Sequence, residues 1–198
     1  MVIVGVTIKE EDEYKLKTLG VKDSKLLSPQ IREELFDEIK KYVFDYKIII
    51  IEPAEIDDAV FKKDGLNLNW LEAAKSIELI NYLKPDKAFV DCPSTNTKAY
   101  SERLESGLKN KTQLVAEHKA DVKYPVVSAA SILAKVVRDR EIAKIKDRYG
   151  NIGSGYPADE VTQRFMKENY NKHPEIFRKS WACYKKLVTG EGQKKLQF

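Results

Sequence analysis

The chain has 198 residues, 42% hydrophobic and 33% charged, with 35 Lys and Arg against 31 Asp and Glu for a net charge of +4. That length supports one full domain with its own core, and the composition reads as soluble and globular. No apolar run reaches membrane-spanning length and no signal-peptide pattern opens the chain. The mild positive balance permits a polyanionic partner without demanding one. Cys92 and Cys183 show neither zinc nor redox spacing, and their scarcity fits a reducing cytoplasm.

Val2 to Ile8 is apolar almost throughout and reads as a strand buried on both faces. Residues 9–18 are charged and helical or turn-like, and Val21-Lys22-Asp23-Ser24-Lys25 is a polar loop. Ser28-Pro29 is a helix start, with Ser as cap and Pro at the first helical position. Ile31, Leu35, Ile39 and Val43 make the expected buried stripe of that helix. Tyr46 to Glu52 is a second apolar strand, which Pro53 ends. A connector through residues 64–69 leads into a helix with Trp70, Ala73, Ala74, Ile77 and Ile80 on its inner face, closed by Pro85. Lys87 to Asp91 is a short strand, stopped by Pro93 and the polar run Ser94 to Thr97. A helix over 98–108 and a strand over 112–117 follow.

Residues 118–138 form the centre of the pattern. A polar run reaches Asp121, the chain turns at Tyr124-Pro125, and a small-residue helix begins at Val126. Val126, Ala129, Ala130, Leu133, Val136 and Val137 share one face, and the alanines allow close approach of a neighbour. Beyond it come the glycine-rich run Gly153-Ser154-Gly155-Tyr156-Pro157, a helix from about Asp159, and an amphipathic segment around Trp181 and Leu187. Alternating strands and helices predict an α/β domain with a mainly buried sheet.

Asp91 and Asp121 are the clearest chemical pair. Each closes a strand or lies just beyond one, where sites form in open α/β sheets. Two such carboxylates could share a hard cation such as magnesium. Equally, strand-end aspartates serve as caps and turn formers. No phosphate-cradling P-loop is present, and His118 and His173 are too isolated for a zinc site. Ser128 or Ser131 would need a base to act as a nucleophile, and none is identifiable. Lys22, Lys25, Lys119 and Lys123 lie in loops near the strand ends, where they either grip phosphates or face solvent.

His118-Lys119-Ala120-Asp121 followed by Tyr124-Pro125-Val126-Val127-Ser128-Ala129-Ala130-Ser131-Ile132 and Ala134-Lys135 resembles the central motif of the ribonuclease HII family. Gly153 to Pro157 resembles that family's next motif, Val21 to Lys25 its Asp-Ser-Lys motif, and Phe89-Val90-Asp91 its acidic strand. Arg178-Lys179-Ser180-Trp181 resembles a segment near its C-terminus, so the likeness spans about residues 1–187, in the archaeal or eukaryotic-like form.

The resemblance implies an RNase H-like mixed sheet flanked by helices. It divides the chain into a catalytic domain over 1–156, a helical extension over 157–188 and a flexible tail over 189–198. It implies cleavage of the RNA strand of RNA–DNA hybrids and incision at single ribonucleotides in duplex DNA, in replication and ribonucleotide excision repair. Four carboxylates hold two divalent ions, Mg2+ or Mn2+, in the family. Asp91 and Asp121 match the third and fourth. Tyr156 matches the tyrosine that stacks beside the sugar at the RNA–DNA junction, and Lys25 and Asn69 fall in motifs that touch the nucleic-acid backbone.

The family pattern opens with a strand bearing Asp-Glu-Ala-Gly-Arg-Gly, and this sequence contains no such motif; Met1-Val2-Ile3-Val4 aligns with the second strand. The expectation is therefore a shortened form of a longer gene product, or a misplaced start, with a gap in its sheet, weak stability and impaired cleavage. A nucleic-acid-binding module without catalysis is the alternative. The tail Gln193-Lys194-Lys195-Leu196-Gln197-Phe198 resembles a sliding-clamp-binding peptide, one residue short and with a single aromatic. The protein is expected to be a cytoplasmic monomer.

Overall fold

The computed structural model describes residues 1–21, 27–61 and 67–190. Within them run β1 (Val2–Thr7), α1 (Glu13–Thr18), α2 (Pro29–Tyr42), β2 (Asp45–Ile50), α3 (Pro53–Phe61), α4 (Leu68–Leu83), β3 (Lys87–Asp91), α5 (Thr97–Gly107), β4 (Gln113–Glu117), α6 (Ala120–Lys123), α7 (Pro125–Tyr149), α8 (Glu160–Asn169) and α9 (Ala182–Val188). The described chain forms two compact units, one of Val2–Ile50 with Asn69–Arg138, the other of Met1, Ile51–Leu68 and the chain from Asp139. The fold is mixed α/β, as expected.

In the first unit β1 pairs antiparallel with β2, Val2 opposite Ile50 and Thr7 opposite Asp45. β3 pairs in parallel with β4, from Lys87 opposite Gln113 to Asp91 opposite Glu117. Both pairing senses occur, but in two separate two-stranded ladders. β1 is half-buried along its whole length, not buried as its apolar run suggests, because among the described residues it has a ladder partner on one edge only.

Side chains alternate across a strand, so Val4 and Val6 face one way, toward a core of Leu16, Phe36, Ile39, Ala129, Ile132, Leu133 and Val136. This is the small-residue face expected of α7. The other face of β1 meets α4. A Cβ on Gly5 would lie 2.8 Å from Leu83 Cδ1 and 3.4 Å from Leu79 Cβ, so glycine here permits the helix to approach. The opposite side of α4 packs on α5, where a Cβ on Gly107 would lie 2.6 Å from Ile77 Cδ1. Trp70, Ala73, Tyr100, Leu104 and Cys92 form the core there, with Val90, Leu114 and Ala116 contributed by β3 and β4.

Two helices differ from expectation. In α2 the Ser28 side chain accepts from Ile31 N–H at 3.2 Å with Pro29 at the first position, as the sequence implies. Ile31 is exposed, however, and Arg32, Phe36 and Ile39 form the buried stripe. Arg32 turns inward with its guanidinium donating to Leu27 C=O at 2.6 Å, which offsets part of the cost of burying it. Pro53 opens α3 instead of only ending β2. Nine residues with a carboxylate at a buried position carried too little apolar periodicity to read as a helix.

In the second unit that carboxylate, Asp57, explains itself. It is buried in α3 and accepts from Lys179 N–H at 2.7 Å and Ser180 N–H at 2.8 Å. It thereby fixes the backbone of the Arg178–Trp181 segment. Met166, Phe177 and Tyr184 form the core of this unit, flanked by Phe165, Tyr170, Trp181 and Leu187.

Candidate functional site

The parallel register sets Asp91 beside Glu117 at the C-terminal end of the β3–β4 ladder, with both side chains on the face that also carries Phe89 and Val115. That face is covered by Tyr124, whose ring lies 4.2 Å from that of Phe89. The Tyr124 hydroxyl and the Lys123 ammonium both donate to the Glu117 carboxylate. Lys123 first, then Tyr124, pull the Glu117 carboxyl below its usual range, and the hydrogen bond to Glu117, aided by burial, pushes the Tyr124 hydroxyl up. Two like charges side by side would repel; here one of them is bound by a cation and a hydroxyl. Glu117 was legible in the sequence only as the last residue of a strand.

Asp91 is exposed, and its Oδ1 accepts from the Ala120 N–H at 3.0 Å. Ala120 opens α6, a single turn in which Asp121 is the second residue and is buried. Lys119, just before it, has φ 58° and ψ 36°, a left-handed conformation that costs a non-glycine residue about 1–2 kcal/mol. His118 donates from Nδ1 to Cys92 C=O at 2.9 Å, and Cys92 N–H donates to Glu117 C=O at 3.0 Å. The strand ends are thus tied together twice around the two aspartates. The structure brings Asp91 to the residue before Asp121.

Two carboxylates offer hard oxygen donors that suit one hydrated divalent cation. Among the described residues no group of three or more His, Cys, Asp or Glu is gathered closely enough to hold an ion. Asp91 and Asp121 are the carboxylates from which a hard-cation site would be drawn here, two where the family resemblance implies four.

Asn69 sits half-buried in the first turn of α4, next to Trp70, which packs in the cluster containing Cys92. Lys25 lies outside the described residues, as do Lys22 and the tail from 191. Tyr156 belongs to the second unit. It is 47% exposed, at the end of a loop in which Gly153 and Gly155 both have φ 73°. The buried Thr162 hydroxyl accepts from Gly155 N–H at 3.0 Å, and Asp159 accepts from Ser154 N–H at 2.5 Å. The Ser154 bonds, aided by Val161 and Thr162, lower the Asp159 carboxyl to about 2.

The ribonuclease HII family model matches residues 1–184. The chain belongs to that family. A ribonuclease HII of Pyrococcus abyssi is 44% identical over 192 residues, spanning 94% of this chain and 84% of the relative. The solved ribonuclease H2 of Pyrococcus horikoshii OT3 is 36% identical with a TM-score of 0.84, over 98% of this chain and 100% of that one. A structure of the PCNA:RNase HII complex from Archaeoglobus fulgidus is also 36% identical, with a TM-score of 0.81 over 100% and 90%. Ribonucleases HII are metal-dependent nucleases that cleave RNA in RNA–DNA hybrids. Among the described residues no helix is long and apolar enough to cross a membrane.

Proposed function

We propose that this chain carries the ribonuclease HII reaction at Asp91 and Asp121, acting on the RNA strand of hybrids and on single ribonucleotides embedded in duplex DNA. The observation that supports it is the bond from Ala120 N–H to Asp91 Oδ1, which joins the strand-end acid to the turn bearing Asp121. Asp91 and Asp121 would hold Mg2+ or Mn2+, which when bound activates water and stabilises the leaving oxygen of an in-line displacement. The chain's own part is orientation. Asp91 is fixed through one carboxylate oxygen, and Asp121 is buried in the first half of the α6 turn. Tyr156 would stack beside the ribose and sense the 2′-hydroxyl, while Lys25 and Asn69 would contact the phosphate backbone.

These residues supply two of the four carboxylates that the family resemblance implies. Cleavage by this chain is therefore expected to be slow, and to rise when a strand bearing Asp-Glu-Ala-Gly-Arg-Gly precedes Met1. The test is cleavage of duplex DNA containing one ribonucleotide, in magnesium and in manganese, by both forms and by their Asp121→Asn variants. The longer form should cut and its variant should not. Cutting by the Asp121→Asn variant would overturn the assignment. Salt-sensitive binding by both forms without cutting would favour the non-catalytic binding module.

A sliding clamp is a second proposed partner. The Archaeoglobus fulgidus relative was solved in complex with PCNA, and residues 193–198 resemble a clamp-binding peptide. Deleting 193–198 should abolish clamp binding measured by titration calorimetry; unchanged binding would exclude the tail. We place the protein in the cytoplasm, acting as a monomer.

A further inference from the structure

We propose that Asp159 and Thr162 are positioning residues that lock the 153–156 loop in the shape that presents Tyr156 to a ribonucleotide; the inference rests on the role given to Tyr156 above. Asp159 is the N-cap of α8, and its Oδ1 accepts from Val161 N–H at 3.0 Å. A cap needs no more than that. Its other oxygen, Oδ2, turns to the loop, taking the Ser154 N–H and lying 3.1 Å from Thr162 Oγ1. The Thr162 hydroxyl accepts from Gly155 N–H, and its one proton lies between Asp159 Oδ2 and Ile152 C=O, the latter at 2.9 Å. Two successive loop amides are therefore held by side chains of the first turn of α8.

The loop is shaped for this grip. A Cβ on Gly153 would lie 2.5 Å from Asp159 Oδ2 and 2.7 Å from Thr162 N. Only a glycine admits both the close approach and the positive φ. The backbone of Tyr156 is fixed on both sides, its N–H donating to Ser154 Oγ at 3.4 Å and its C=O accepting from Asp159 N–H at 3.1 Å. Gln163 Nε2 donates to Pro157 C=O at 2.6 Å. An exposed aromatic ring on a backbone bonded this densely is held ready for a flat or sugar-edged partner. Pre-ordering it removes an entropic cost that binding would otherwise carry.

The experiment is a double-mutant cycle on binding. Affinities for a duplex with one ribonucleotide and for the same all-DNA duplex are measured by fluorescence anisotropy in calcium for the full chain and for Tyr156→Ala, Asp159→Asn, Thr162→Val and Thr162→Ser, with the Thr162→Val/Tyr156→Ala double variant. Amide hydrogen exchange at Ser154 and Gly155 is followed in parallel. Asp159→Asn and Thr162→Val should each cut the preference for the ribonucleotide duplex about fivefold and speed exchange at both amides about tenfold. Thr162→Ser should keep both near the parent values. The double variant should lose no more preference than Tyr156→Ala alone. Additive losses, or unchanged exchange, would overturn the proposal. If Tyr156→Ala leaves the preference intact, the role of Tyr156 fails and the proposal with it, while faster exchange in Thr162→Val would still locate the failure at Tyr156 and not at the latch. Should Asp159→Asn fail to fold, the Thr162 pair carries the cycle.

Discussion

Asp91 meets the turn before Asp121 across 29 residues of chain, and His118 meets Cys92 across 26. Asp159 meets Ser154 across five, and the farthest bond of that loop, Thr162 to Ile152, spans ten. The acidic turn is thus assembled by a parallel ladder and a core, while the tyrosine loop assembles itself from one short stretch of sequence. Loop closure is costlier for the first and rewarded only once the ladder exists. Perturbing core packing should damage the acidic turn first, and perturbing local chemistry should damage the loop first.

The largest expected effect is on the core of the first unit, the unit that carries the acidic turn. Leu133→Ala should cost about 2–5 kcal/mol in chemical denaturation, since Leu133 is fully buried against α1, α2 and α7 neighbours. Exchange at Ala120 should quicken more than exchange at Ser154. The reverse order would break the contrast between the two regions.

Next is the cation. Asp121→Asn should weaken Mn2+ binding about 10–100-fold by titration calorimetry, while Asp159→Asn leaves it unchanged. Equal losses would mean that the two turns do not work separately.

Gly153→Ala should then cost at least about 1–2 kcal/mol from its positive φ alone, with the collision at Asp159 Oδ2 added. Thermal unfolding and exchange at Ser154 and Gly155 would show it. Little change would mean that the loop is not gripped as described. A smaller effect, of opposite sign, belongs to Lys119→Gly. Relief of the left-handed strain outweighs the added chain entropy, for a net gain of about 0.5 kcal/mol in denaturant midpoint. A loss there would mean that the Lys119 side chain itself supports the turn.

Acid separates the regions last. The Asp159 carboxyl is depressed from 3.8 to about 2, so its bonds contribute fully above pH 3.8 and are lost as pH falls toward 2. The protection of the Ser154 amide, relative to its intrinsic exchange rate at each pH, should fall across that window in the parent and stay flat in Asp159→Asn. A flat parent profile would show that the bonds do not depend on the charge.

Much of this was legible from local pattern. The strand Lys87–Asp91, the Ser28 cap with Pro29, and the α7 face of Ala129, Leu133 and Val136 stand where composition and spacing place them. These features depend on neighbours within a few residues, and the order of the family motifs carried the rest of the recognition. Two features are not legible in the stretch that forms them. Arg32, donating to Leu27 C=O just before the helix, takes the place of Ile31 in the buried stripe. α3 is not legible locally, because its buried Asp57 makes sense only with the backbone of Lys179 and Ser180, more than 120 residues away.

The sequence by itself determined the family and the α/β class and singled out Asp91 and Asp121 as candidates, because motifs, periodicity and turn chemistry are properties of short stretches. Only the tertiary structure decided that Asp91 bonds to the residue before Asp121, that Glu117 stands beside Asp91 yet is occupied by Lys123 and Tyr124, and that β1 has a single ladder partner among the described residues. Register and packing set those facts, and both arise from long-range pairings whose free energies appear only when the whole chain has closed on itself.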